Sequence, residues 1–235
     1  MEKKNIWLIN LPHAGGSITT FKGWNKKINC NVLNVEYPGH WTRMNESLLN
    51  TFEELAEDVV ETIQRKIQSP AEISLFGHSL GAILAWSIIP TLQRKGYIVK
   101  CIFLSASQSP DFFPENNIRN ANTDIEKMKL IGYDIEERSS DINDQFLKTF
   151  FPILDKDLQI CKKFVSDNHY IDIDAYVLYG KEDSFVDIDK MVTWGNFVKL
   201  IAVHDFPGQH LYLEEKSNRD LLTDLINTVL KQLMK

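Results

Sequence analysis

The sequence predicts an α/β fold: a mostly parallel central sheet with helices on both faces and one helical insertion. Three observations carry this. Short apolar runs recur at Ile6–Ile9, Ile73–Phe76, Cys101–Leu104 and Tyr176–Tyr179, the pattern of strands covered on both faces. Amphipathic helical stretches follow or separate them, the clearest from Phe52 to Ile67. The third observation is Gly77-His78-Ser79-Leu80-Gly81, placed where one apolar run ends and a helical run begins.

The chain of 235 residues is expected to form one domain, 1–235, since no Pro/Gly/Ser-rich linker divides it. A net charge of −6 and a pI of about 5.5 argue against a nucleic-acid binder. The three cysteines, Cys30, Cys101 and Cys161, are far apart and form no Cys-x-x-Cys, so they read as buried free thiols of a cytoplasmic protein. The apolar run after Met1 is cut by Asn10 and Pro12, too short for a signal core, and no run is long enough to span a membrane.

The elements follow in order. Asn5 to Leu11 is the first strand, ending in Pro12-His13-Ala14-Gly15-Gly16-Ser17. Paired glycines after a strand permit a turn that aims backbone N–H groups at a ligand. Phe21 and Trp24 are expected to seal a short helix onto the core, and Asn31 to Glu36 is a second strand, closed by the turn Tyr37-Pro38-Gly39-His40. Thr51 and Glu54 form a capping box opening the helix of Phe52, Leu55, Val59, Ile63 and Ile67. The strand of Ile73–Phe76 leads into Gly77–Gly81, and Ala82 to Leu92 continues as helix. Gly-x-Ser-x-Gly between strand and helix is the nucleophile elbow of α/β-hydrolases, in which a strained serine stands above the sheet edge. After the strand Lys100–Ser105 the rhythm breaks. Ala106 to Asn168 shows short helical patches, acidic residues and scattered large apolar side chains, among them Phe112, Phe113, Ile118, Met128, Leu130, Ile131, Phe146, Phe150 and Phe151. At about 106–168 this reads as an insertion covering the serine as a lid. Ala175–Gly180 resumes the strand pattern, Phe197–Val203 is the last strand, and Glu214–Met234 is a helix with Leu221, Leu222, Leu225, Ile226, Val229 and Leu233 inward.

Three residue types then stand after strand ends in the order Ser79, Asp183, His210, the order of α/β-hydrolases rather than of other serine hydrolases. A serine hydroxyl needs an imidazole to take its proton, and the imidazole needs an acid to fix its tautomer. Among six histidines, His78 lies inside the elbow and points away from the serine hydroxyl, His13 belongs to the glycine-rich loop, and His40 and His169 lack the order or context. His204 ends a strand and packs, whereas His210 lies on the loop after the last strand. Asp187 is expected to cap a helix from Ile188 to Trp194, and Asp172, Asp174 and Asp189 are weaker rivals of Asp183. The oxyanion donors are expected to be the N–H groups of Leu80 and Ala14. No His-x-x-x-His, cysteine pair, Gly-x-Gly-x-x-Gly or Walker loop is present, so neither metal nor cofactor is called for.

The chain resembles the type II thioesterases that accompany nonribosomal peptide and polyketide synthases, and the related medium-chain fatty acid thioesterase. The matching pieces are Leu11–Ser17, Phe21-x-x-Trp24, Tyr37-Pro38-Gly39, Gly77–Gly81, Gly180-x-x-Asp183, Phe151–Asp157 and Pro207–Leu213. It departs at His40, where that family has Arg after Pro-Gly, and at Asp155-Lys156-Asp157, where it has Arg before Ala-Asp. The resemblance implies hydrolysis of acyl thioesters on the phosphopantetheine arm of an acyl or peptidyl carrier protein, removing stalled or misprimed acyl groups. It implies no cofactor, and the chain is expected to be a monomer without a nucleic-acid or membrane partner. A free-standing carboxylesterase or lipase with the same triad is the alternative, and a catalytically idle binding protein a third reading.

Overall fold

The computed structural model describes residues 6–113 and 140–233, with side chains at all of these except 140–147. Six strands form one sheet: β1 Ile6–Leu11, β2 Asn31–Asn34, β3 Glu72–His78, β4 Ile98–Ser105, β5 Ile171–Gly180 and β6 Val198–Phe206. Their order is β2-β1-β3-β4-β5-β6, every neighbouring pair parallel. The chain runs from β1 outward to β2, then returns to β3 on the other side. The crevice beyond the C-terminal ends of β1 and β3 is therefore the switch point, where open parallel sheets bind ligands.

Among the described residues the helices are α1 Trp24–Lys27, α2 Phe52–Lys66, α3 Leu80–Arg94, α4 Ser140–Lys163, α5 Ile188–Met191 and α6 Lys216–Leu233. Alternation along the strands divides the core in two. One set, with Ile9, Leu75, Ile102 and Val177, packs against α2, α3 and the described part of α4. The other, with Leu8, Phe76, Phe103 and Leu178, packs against Trp24 of α1 and Leu222, Ile226 and Val229 of α6. The capping box at Thr51 forms on both sides. Phe21 and Trp24 fall in two separate turns, yet both are buried and meet edge to face at 5.2 Å.

The structure corrects several boundaries. β2 stops at Asn34, although Val35 stays buried. Among the described residues the middle of the chain contains a long helix, α4, whose Phe150, Leu154, Leu158 and Cys161 join the core. The expected apolar positions Ile118, Met128, Leu130 and Ile131, and the Phe146 side chain, lie outside the described residues. In α6, Leu221 is 54% exposed, because the inward line runs through Asn218, Leu222, Ile226 and Val229. β6 extends past His204 to Phe206, so His204 stands partly exposed within an edge strand instead of ending one. The helix after Asp187 tightens after one turn into a 3₁₀ segment, Val192–Asn196. Among the described residues no helix is long and apolar enough to cross a membrane.

Candidate active site

β3 ends at His78, and Ser79 caps α3 with φ 54° and ψ −116°. A side chain at positive φ is strained, and the surroundings hold it there. The Ser79 N–H donates to the Ser105 carbonyl at 2.8 Å, and its own carbonyl accepts from the Ala82 N–H at 2.9 Å. Glycine is required on both sides by close approach. A Cβ on Gly77 would lie 2.0 Å from the Gly81 oxygen, and one on Gly81 would lie 2.2 Å from the Leu11 oxygen. The elbow, α3 and the end of β1 thus interlock at backbone distance. Ser79 remains partly accessible while His78 and Leu80 beside it are buried.

Asp183 follows β5 through a turn closed by its N–H on the Gly180 carbonyl, 3.1 Å. Its Oδ1 accepts the Phe185 N–H at 2.8 Å, and its Oδ2 meets Nδ1 of His210 at 2.8 Å. The Asp183 side chain is wholly buried. A carboxylate only accepts, so this contact assigns a proton to Nδ1, and in the neutral ring the lone pair is then on Nε2. The His210 loop is tied to the acid's loop by Glu182, whose N–H donates to Gly208 O at 3.1 Å and whose carboxylate accepts the Gly208 N–H. Asn218 of α6 holds it from below, donating to Pro207 O at 2.7 Å and Tyr212 O at 2.9 Å. The rings of Phe185 and His78 stand 5.4 Å and 5.3 Å from the His210 ring.

His78 turns away from Ser79, as its place in the elbow predicts: its Nδ1 meets Ser105 Oγ at 2.8 Å, and Ser105 Oγ meets Tyr212 OH at 2.7 Å. Burial above all, with His210 and His13 nearby, pushes its pKa well below 6.5, so it is neutral. This chain ties the ends of β3 and β4 to the base's loop. Sequence reasoning missed Ser105 and Tyr212, since a serine in a strand and a tyrosine past a histidine carry no signal of their own.

The loop after β1 closes the other side. Its Pro12 carbonyl accepts the Tyr37 hydroxyl at 2.9 Å, its Gly16 N–H donates to His13 O at 2.9 Å, and His13 Nδ1 donates to Ala14 O at 2.9 Å. Among the described residues no protein acceptor takes the N–H of Ala14 or of Leu80. Gly15 donates instead to Asp157 Oδ2 at 2.7 Å, and the same oxygen lies 3.0 Å from Nε2 of His40. Beside this loop a cleft of about 340 Å³ is lined by His13, Gly15, Thr20, Trp41, Met44 and Phe150, among others. Asp157 is visible in sequence only as part of the Phe151–Asp157 segment, and His40 only as a residue after a Pro-Gly turn.

The rivals fall elsewhere. Asp187 accepts the Asp189 N–H at 3.0 Å as the cap of α5, and Asp174 pairs with Lys199 at 2.9 Å. His169 stacks on Trp86 at 4.2 Å. Among the described residues no group of three or more His, Cys, Asp or Glu is placed to hold a metal. What the arrangement offers is a strained serine at a helix N-terminus, an imidazole with one nitrogen committed to an acid, and two N–H groups not used by the fold. That is the equipment of acyl transfer.

A family model described as a thioesterase domain matches residues 7–233. The medium-chain S-acyl fatty acid synthase thioesterase of Rattus norvegicus is 28% identical over 230 residues, covering 93% of this chain and 86% of that protein. Thioesterase PikA5 of Streptomyces venezuelae is 28% identical over 219 residues, covering 90% and 76%. In fold the chain is similar to ClbQ, from the colibactin NRPS/PKS pathway, with a TM-score of 0.86 at 21% identity over 98% of this chain and 99% of that one.

Proposed function

The chain belongs to the thioesterase domain family, and from that premise we propose that it hydrolyses acyl thioesters on the phosphopantetheine arm of an acyl or peptidyl carrier protein. The observation that carries the reading is the 2.8 Å contact of His210 Nδ1 with Asp183, beyond the same sheet edge as the elbow serine. Ser79 Oγ attacks the thioester carbonyl while His210 Nε2 takes its proton. The N–H groups of Leu80 and Ala14 receive the oxyanion, each worth about 3 kcal/mol in the transition state. The tetrahedral intermediate expels the thiolate, which leaves as the thiol with the proton from His210. Water then gives a proton to His210 and attacks the acyl-serine, and collapse returns Ser79 and releases the acid. Asp183 stabilises the imidazolium in both halves.

The role we propose is removal of stalled or misprimed acyl groups from a nonribosomal peptide or polyketide synthase. Its support is the NRPS/PKS pathway of ClbQ and the fatty acid synthase in the name of the rat relative. The cleft beside the Pro12–Ser17 loop, with Phe150 and Met44 in its wall, takes the apolar part of the substrate, and α4 serves as part of a lid over it. The protein acts as a monomer and in the cytoplasm, a compartment that keeps its three buried thiols reduced. Whole-protein mass spectrometry of an acylated carrier after incubation tests this: the carrier should lose its acyl mass and keep its phosphopantetheine. An untouched carrier beside rapid turnover of a nitrophenyl ester would favour the carboxylesterase reading instead.

A further inference from the structure

His40 and Asp157 are 117 residues apart in sequence and buried together, 2% and 3% exposed. The geometry around His40 leaves it no neutral form that satisfies its partners. Its Nδ1 lies 3.0 Å from the Pro38 carbonyl and its Nε2 lies 3.0 Å from the Asp157 carboxylate. Neither oxygen has a hydrogen to give, so both ring nitrogens must donate, which makes the ring an imidazolium. The carboxylate has a second task. Its Oδ2 also accepts the Gly15 N–H at 2.7 Å. Gly15 sits at φ +71°, and a Cβ there would lie 3.0 Å from Phe150 Cζ and 3.2 Å from Leu154 Cβ, so α4 rests directly on this residue. The Ala14–Gly15 peptide is thereby gripped at both ends, its carbonyl by the His13 ring and its N–H by Asp157. One peptide back is the N–H of Ala14.

We propose that Asp157 and His40 are positioning residues for the oxyanion donor Ala14, and that their buried ion pair fastens α4 to the donor's loop in a pH-dependent way. The proposal rests on the serine thioesterase reading above. Asp157 reaches neither Ser79 nor His210 in any contact of the described residues; it acts through Gly15. His40 holds Asp157, and its own turn holds the loop a second time through Tyr37 OH on Pro12 O. The charged and titratable groups facing the pair are few. Glu36 precedes His40 on its own segment, Tyr37 stands edge to face with its ring at 5.5 Å, and Cys161 lies one turn beyond Asp157 on α4. None of them supplies a second cation. When His40 loses a proton, one of its two hydrogen bonds goes and the carboxylate is left buried without its counter-charge. Burial by itself disfavours the cation, but Asp157, by charge and by hydrogen bond, outweighs it, with Pro38 O and Glu36 adding, so the ring holds its proton above the ordinary 6.5. Grip is therefore firm while the ring keeps its second proton and weakens as pH rises through its raised pKa.

The test follows kcat and KM for a simple thioester, S-octanoyl-N-acetylcysteamine, across pH in wild type, His40→Arg, His40→Gln and Asp157→Asn. The His40 ring is titrated by NMR in the same proteins. A donor that acts only on the transition state shows in kcat rather than KM. Wild-type kcat should fall on the alkaline side with the midpoint of the His40 titration. His40→Arg, with a permanent cation, should abolish that fall. His40→Gln should show the low alkaline kcat at every pH. Asp157→Asn should lower kcat by about a hundredfold with little change in KM, the size expected for a misplaced catalytic group, and should move the His40 midpoint down. An alkaline fall that persists in His40→Arg, or that does not track the His40 titration in wild type, overturns the proposal. A His40 midpoint unmoved in Asp157→Asn does the same, and it is read without any turnover. Failure of wild type to hydrolyse any thioester would instead strike the functional reading, leaving the titration to judge the pair.

Discussion

His210 meets Asp183 through Nδ1 at 2.8 Å, and His40 meets Asp157 through Nε2 at 3.0 Å. Both pairs are buried, and both join residues from separate loops or elements. They differ at the other nitrogen. In His210, Nε2 has no partner among the described residues, so the neutral ring has a lone pair there with which to accept a proton. In His40 the second nitrogen is held by the Pro38 carbonyl, so the ring already carries two protons and has none to accept. The identity of the two side chains does not decide whether a His–Asp pair is a base or a fastening. What stands opposite the far nitrogen decides it.

The sharpest way to break this comparison is to remove the proposed chemistry of the first pair. Ser79→Ala and His210→Ala should each lower kcat by about a millionfold, and the double variant should be no worse than either, because nucleophile and base act as one unit. Fluorophosphonate labelling should vanish with Ser79→Ala. Substantial turnover in either variant would remove that residue from the mechanism.

The two acids come next. Asp183→Asn should lower kcat by about ten-thousandfold through the wrong tautomer of His210, well beyond the loss from Asp157→Asn. Asp187→Asn should leave kcat within a few-fold of wild type, since Asp187 only caps α5. Equal losses at Asp183 and Asp157 would mean that the pairs are not functionally distinct.

Much of the first pair is legible in the sequence, and almost none of the second. Ser79, Asp183 and His210 each follow a strand, and parallel strands bring their C-terminal ends to one edge, so chain order alone predicts their meeting. Asp157 lies in a helix, where its facing depends on the register and tilt of α4 against the sheet, and no local pattern states either. His40 follows a Pro-Gly turn and looks like a surface residue there; its burial depends on α4 arriving from far along the chain. Leu221 errs for a related reason. The helical period of α6 is plain in the sequence, but its phase is set by Asn218, a polar residue buried to hold Pro207 and Tyr212, which a search for apolar faces passes over.

A smaller effect separates the loop from its surroundings. Phe150 lies against Gly15 and in the wall of the cleft. Phe150→Gln should shift the ratio of octanoyl to palmitoyl hydrolysis by about tenfold, the scale of a methylene or two in an apolar pocket. Labelling of Ser79 by a small fluorophosphonate should change much less. An unaltered chain-length profile would take α4 out of the substrate pocket.

The smallest effect expected is on stability, and its sign differs between two buried histidines. His40 holds its proton above 6.5 in the folded protein, so its contribution is complete below the unfolded value and is lost as pH rises through the folded one. His78 is pushed well below 6.5 by burial, so the unfolded chain binds the proton it refuses, and stability is lost as pH falls below 6.5. Among the described residues six thiols and phenols raised by burial press from the alkaline side, Cys101, Tyr97, Tyr176 and Tyr212 among them. Burial raises Cys161 well above its usual 9.0 and Tyr37 well above 10.0, so the unfolded chain ionises them first and stability falls there as well. The window that isolates His40 therefore lies above the unfolded value of 6.5 and below the onset of thiol ionisation. Within it, Tm of the wild type should decline with pH while that of His40→Arg stays flat. Below neutrality both should decline together, because His78 is unchanged. A wild-type Tm that holds level across this window, or an Arg variant that declines as steeply, would mean that His40 does not carry the charge its two acceptors require.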